Sequence, residues 1–177
     1  MSGTNGMRAV IVDGDLSYPP NSGKRLRTLN LMLPLARRHS ITYVARCDEL
    51  DGTAEAATFL RDHGIEPVLV HAPLAARKGA RFAFDLGLNL VQSQPYAVVA
   101  HKHAAMREAV AAQVARSGAD LVQLEWQGYL YCVEHLATPF VIQAHNVDAL
   151  IWQRYAETER HPVRRLYVRD QHRKVLQ

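Results

Sequence analysis

The run Arg8-Ala9-Val10-Ile11-Val12-Asp13, closed by Gly14, decides how the rest of the chain is read. Its unbroken β-branched centre has none of the polar alternation of a half-exposed strand. It therefore reads as a strand buried on both faces, the kind found in parallel sheets covered by helices. Residues 1–7, small and polar, read as a short flexible lead-in.

Working outward, Asp15 to Ser22 contains Tyr18, Pro19, Pro20 and Asn21 and reads as a loop. From Gly23 to Arg38 the spacing of Leu26, Leu29, Leu33 and Ala36 marks one helix face. Ser22 is the expected N-cap, and Pro34 should kink the helix or end it early. Ile41–Ala45 reads as a second strand, and Ala54–His63 as a helix with Gly64 just past its end. Ile65–Val70 reads as a third strand, placed at an edge by Pro67. Helical segments follow over Leu74–Val91 and Ala100–Arg116, split by Gln94-Pro95, and Gly118 ends the second. Asp120–Glu125 and Phe140–Ala144 are the fourth and fifth strands. Ala149–Thr158 and Arg164–Leu176 are helices, with Pro162 between them. Strands alternating with helices imply right-handed crossovers and a doubly wound α/β domain with strand order 3-2-1-4-5.

The composition fits a folded domain: 177 residues, 48% hydrophobic and 21% charged, can enclose a sizeable core. A net charge of +4 favours anionic partners only mildly. Cys47 and Cys132 form no CxxC pair, which argues against a zinc ribbon or a disulfide framework and for a reducing compartment. No apolar run reaches membrane-span length, so the expected location is the cytoplasm. Arg165, Arg169 and Arg173 form a basic stripe that reads as a solvated face or as a peripheral contact with anionic lipid at the inner face of the membrane. Without aromatic interleaving, no nucleic-acid partner is expected.

In an open α/β sheet, ligands bind beside the carboxyl ends of the strands at the switch point, here between strands one and four. Three segments converge there. In the first, Ser22 and Gly23 would present backbone N–H groups to an anion, with Lys24, Arg25 and Arg27 adding charge nearby; the alternative is a proline-rich turn and an ordinary cap. Tyr18 and Arg25 stand at positions where a Walker A loop needs glycine and serine or threonine. The second segment offers Glu125, a carboxylate that would accept from sugar hydroxyls or orient a base, or else a solvated surface group. The third offers His145 and Asn146, with Asp148 expected to cap the following helix. His145 would donate a hydrogen bond or titrate near neutrality. His101-Lys102-His103 is half a metal pattern without a partner at ligand spacing.

Tyr18-Pro-Pro-Asn-Ser-Gly-Lys-Arg-Leu-Arg27, Ala36-Arg-Arg-His-Ser-Ile-Thr-Tyr-Val44, Asp120-Leu-Val-Gln-Leu-Glu125 and His145-Asn-Val-Asp148 with Trp152 and Arg154 together resemble the N-terminal domain of bacterial family 4 glycosyltransferases, in the subgroup of sugar transferases for polysaccharide biosynthesis. The resemblance covers about Arg8 to Gln177. It implies a Rossmann-like sheet as one half of a GT-B architecture, retention of anomeric configuration, a nucleotide sugar as donor, a glycan or lipid-linked acceptor, and no metal or other cofactor. It also implies that Ser22, Gly23 and Arg27 face the donor diphosphate and acceptor. His145 would be the catalytic contact to the donor sugar, Asn146 would shape that pocket, and Glu125 would sit on the acceptor side. Lys24 departs from the second glycine that many relatives carry.

The family's C-terminal nucleotide-sugar domain is not in these 177 residues, and the last helical pattern ends without a stop signal. The chain therefore reads as a fragment or truncated product that is inactive alone. The competing reading is a non-catalytic Rossmann-like module that binds a nucleotide or a protein.

Overall fold

The computed structural model describes residues 6–50 and 52–177; residues 1–5 of the expected lead-in lie outside them. The chain forms two compact units. The first runs to Pro73 and resumes over Lys102–His145; the second comprises Leu74–His101 and Asn146–Gln177.

The first unit is an α/β domain around a five-stranded, all-parallel sheet. Its strands are β1 (Arg8–Asp13), β2 (Ser40–Cys47), β3 (Ile65–His71), β4 (Leu121–Leu124) and β5 (Phe140–Ile142), in the spatial order β3-β2-β1-β4-β5. This is the doubly wound order expected from sequence, with β3 and its Pro67 at one edge. Helices α1 (Gly23–Ala36) and α2 (Ala54–Asp62) connect β1 to β2 and β2 to β3.

The pleat of β1 explains why its apolar run is continuous. Ile11 faces the α1 and α2 side, packed with Leu29, Met32 and Leu60. Val10 and Val12 face the other side, against Met106, Val110 and Val114 of a later helix, Ala104–Ser117. Those three residues are spaced four apart and share one helix face. Of the expected line on α1, Leu29 is buried and Leu33 and Ala36 pack against the same core, with Thr28 and Met32 buried beside them, while Leu26 is exposed. The helix continues past Pro34 to Ala36. Gly64 and Gly118 hold φ of +77° and +58°, the left-handed geometry that ends a helix without a Cβ penalty.

The second unit is helical: α3 (Gly79–Asn89), α4 (Tyr96–His101), α6 (Asp148–Thr158) and α7 (Pro162–Val175), with Ala104–Ser117 of the first unit numbered α5. The expected helix over 100–116 is thus two helices. His103 separates them by capping α5, its ring nitrogen accepting from the Ala105 N–H at 3.3 Å. Pro162 begins α7 instead of dividing two helices, in the first turn where its missing N–H costs nothing. The interior of this unit holds a polar network beside Ala156 and Val168. The Asn89 side-chain oxygen accepts from Gln171 (2.8 Å), whose own oxygen accepts the Tyr96 N–H (2.7 Å), and Lys174 donates to the Asn89 carbonyl (2.6 Å). Between β4 and β5 the chain makes a 3-10 turn over Gln127–Cys132.

Candidate functional site

Strands β1 and β4 pair in register, Val12 opposite Leu124, so the next residues, Asp13 and Glu125, leave the sheet side by side. Each is only 1% exposed. Two buried carboxylates therefore stand at the carboxyl edge of the sheet, at the topological switch point where α/β folds bind ligands. The reading of Glu125 as a solvated surface group does not hold: the fold encloses it.

Glu125 is saturated by donors from three directions. The Thr28 hydroxyl donates to Oε2 at 2.7 Å, from the buried face of α1. The Gln123 amide donates to Oε1 at 2.5 Å and also to the Gln143 side-chain oxygen at 3.0 Å. His145 Nε2 lies 2.8 Å from Oε2, and the imidazole keeps 11% of its side chain exposed. The second and third sequence segments thus meet directly, and the first reaches them through Thr28, two residues beyond Leu26 on the helix that starts at Gly23.

A second network surrounds Asp13. Lys24 donates to its Oδ1, and the Tyr43 hydroxyl, with one proton to give, lies 2.9 Å from its Oδ2 and 2.8 Å from the Asp15 carbonyl oxygen. Burial raises the Asp13 pKa; the Lys24 charge and bond and the Tyr43 bond oppose it, while the nearby Glu125 charge adds to it. Burial, and then the Asp13 charge, hold the Tyr43 phenol well above its ordinary value, so it remains a donor. Arg25 clasps Asp15 through two bonds of 2.8 Å and reaches Asn21 at 3.0 Å. Lys24 and Arg25, read from sequence as charge for an anionic ligand, are therefore engaged by carboxylates of their own loop. Asp13, Asp15 and Tyr43 were not singled out from sequence, because an acid at a strand end reads as a turn residue. The usable signal was two acids ten and eleven positions ahead of two bases across a proline loop.

Ser22 caps α1 as expected, accepting from the Arg25 N–H at 3.4 Å. Gly23 faces open space: an added Cβ would meet nothing within 4 Å. Arg27 is exposed one turn further on. Asn146 is exposed and belongs to the second unit. Asp148 does not occupy the cap position; Val147 does, without a side-chain cap bond, and Asp148 supplies an acid in the first turn of α6.

Among the described residues no group of three or more His, Cys, Asp or Glu side chains is arranged to hold a metal ion. Cys47 and Cys132 are free and buried, and burial pushes both thiols up, Cys132 to about 11, which keeps them un-ionised near neutrality.

What fold and site define is a doubly wound α/β domain with a carboxylate-oriented imidazole at its switch point. Comparison of the chain with family models, with curated proteins and with solved structures found no match.

Proposed function

We propose that the sheet domain is the acceptor-side half of a retaining, nucleotide-sugar-dependent sugar transferase of the family 4 type, acting on a glycan or lipid-linked acceptor. The observation that carries this reading is the partly exposed His145 imidazole held by buried Glu125 where the strands end, next to the helix that begins at Ser22 and Gly23. In this reading His145 bonds the transferred sugar. The uncovered amino end of α1 faces the donor diphosphate through backbone N–H groups, with Arg27 adding positive charge. Because Lys24 and Arg25 are engaged by Asp13 and Asp15, stabilisation of the departing nucleotide falls mainly to a second Rossmann-like domain, which also holds the nucleotide.

His145→Ala in a transferase that carries both domains should lower turnover on the order of 10²-fold, the usual effect of removing one transition-state donor or acceptor, with only a modest fall in melting temperature because Thr28 and Gln123 still donate to Glu125. Unchanged kinetics would remove His145 from the site. The 177-residue chain by itself should turn over neither UDP- nor GDP-sugars. Tight nucleotide binding by that chain would favour instead the non-catalytic binding module.

The reading extends to an anionic membrane surface as a peripheral partner. No helix among the described residues is long and apolar enough to cross a membrane. On α3, however, Phe84 is 70% exposed and Leu88 lies one turn on, with Val91 84% exposed just past the helix end. Arg77, Lys78 and Arg81 are exposed at its start. Apolar side chains beside cations are the chemistry of an interfacial helix. On α7 the basic stripe is exposed, with Arg173 paired to Asp170 at 2.7 Å.

A further inference from the structure

We propose that Glu125 is a positioning residue: it holds the His145 ring through Nε2–H, so that the neutral form of the ring presents Nδ1 as a hydrogen-bond acceptor to the ligand. That His145 touches a ligand rests on the function proposed above; the ring's orientation and tautomer do not.

The resemblance would have Glu125 meet the acceptor itself. At 1% exposure it is enclosed instead, with three protein donors on its two oxygens. A carboxylate offers only acceptor sites, so the imidazole nitrogen facing it at 2.8 Å carries the proton. A neutral imidazole has one N–H, and with that placed on Nε2 the lone pair is on Nδ1. Two of the three donors in the clamp come from outside the loop that carries His145. Thr28 approaches from α1, and Gln123, on β4, is itself tied to Gln143. Glu125 therefore keeps two donors whether or not His145 is bound to it. The consequence for recognition is a sign: when its ring is neutral, His145 receives a hydrogen bond from a ligand hydroxyl rather than giving one. Ligand analogues whose hydroxyl is replaced by a group that cannot donate should lose that contact.

A nitrogen-15 long-range correlation spectrum of the labelled chain tests this directly, at about pH 9, where an ordinary imidazole is neutral. The His145 signals are assigned by their loss in His145→Gln. The expected wild-type pattern is an Nε2–H ring, kept in Glu125→Gln, whose amide oxygen still accepts, and replaced by a tautomer mixture in Glu125→Ala. An Nδ1–H ring in the wild type, or an unaltered pattern in Glu125→Ala, overturns the proposal. Should Glu125→Ala fail to fold, Glu125→Leu, apolar and of similar volume, gives the same comparison, and the wild-type spectrum decides the tautomer in any case. In the two-domain transferase, Glu125→Ala should lower kcat about as much as His145→Ala with little change in the donor KM, and Glu125→Gln should restore most of it. The expected tautomers with no kinetic effect of either residue would overturn the transferase reading and leave the positioning role standing.

Discussion

Asp13 and Glu125 are acids that local sequence treats as surface groups, yet both are enclosed, and each is held by hydroxyl donors from another element. A buried carboxylate is tolerable only while its donors remain, because an unpaired buried charge costs several kcal/mol. Tyr43 matters for Asp13 because its fully enclosed hydroxyl has no water to replace it. Tyr43→Phe should therefore lower stability by about 1.5–3 kcal/mol, the range for a hydrogen bond to a charged group. Urea unfolding measures this, and a loss below about 0.5 kcal/mol would mean that Asp13 does not depend on the phenol. His145 and Gly23 could be picked out from sequence because fold rules place strand ends at a crevice. Thr28 could not: nothing in a helix's own residues says that one threonine on its buried face meets a carboxylate 97 positions away.

At the scale of elements, the entry to the sheet is tied by one exposed pair. Arg8, at the start of β1, meets Asp120, just before β4, through its backbone N–H (2.8 Å) and guanidinium (2.9 Å). These bonds, the guanidinium's first, hold the Asp120 carboxyl down at about 2, below its ordinary 3.8. A depressed carboxyl stabilises the fold above the unfolded value and loses that contribution as pH falls through the folded one. The wild type should therefore lead Asp120→Asn at neutral pH, and the lead should shrink between 3.8 and about 2. A constant gap in melting temperature across that window would count against the clip. Helix and strand types were largely legible because periodicity reports which face is buried. Element ends and faces were less so. Leu26 fits the apolar line of α1 but projects to solvent, while Thr28 takes the buried place because Glu125 needs its hydroxyl. The break at Lys102 and His103 was missed because histidine is a rare cap, and the composition around it favours helix.

At the scale of the molecule, the proposed membrane surface makes its own prediction. The chain should sediment with vesicles containing phosphatidylserine at low salt, bind them less as salt rises, and ignore neutral vesicles. A Phe84→Ser, Leu88→Ser double variant should lose binding while keeping its melting temperature, since both side chains are largely solvent-facing. Equal binding of neutral and anionic vesicles, or none to either, would refute an electrostatic interfacial helix. The parallel sheet, its strand order and the edge position of β3 followed from sequence alone, because a parallel strand buried on both faces must be continuously apolar and crossover connections have a fixed hand. Tertiary structure alone decided which polar groups meet. The pairing of Glu125 with His145 and Thr28, and of Asp13 with Lys24 and Tyr43, joins residues from separate elements at short range. Hydrogen bonds act over about 3 Å and leave no periodic trace along a chain, whereas burial of apolar surface does.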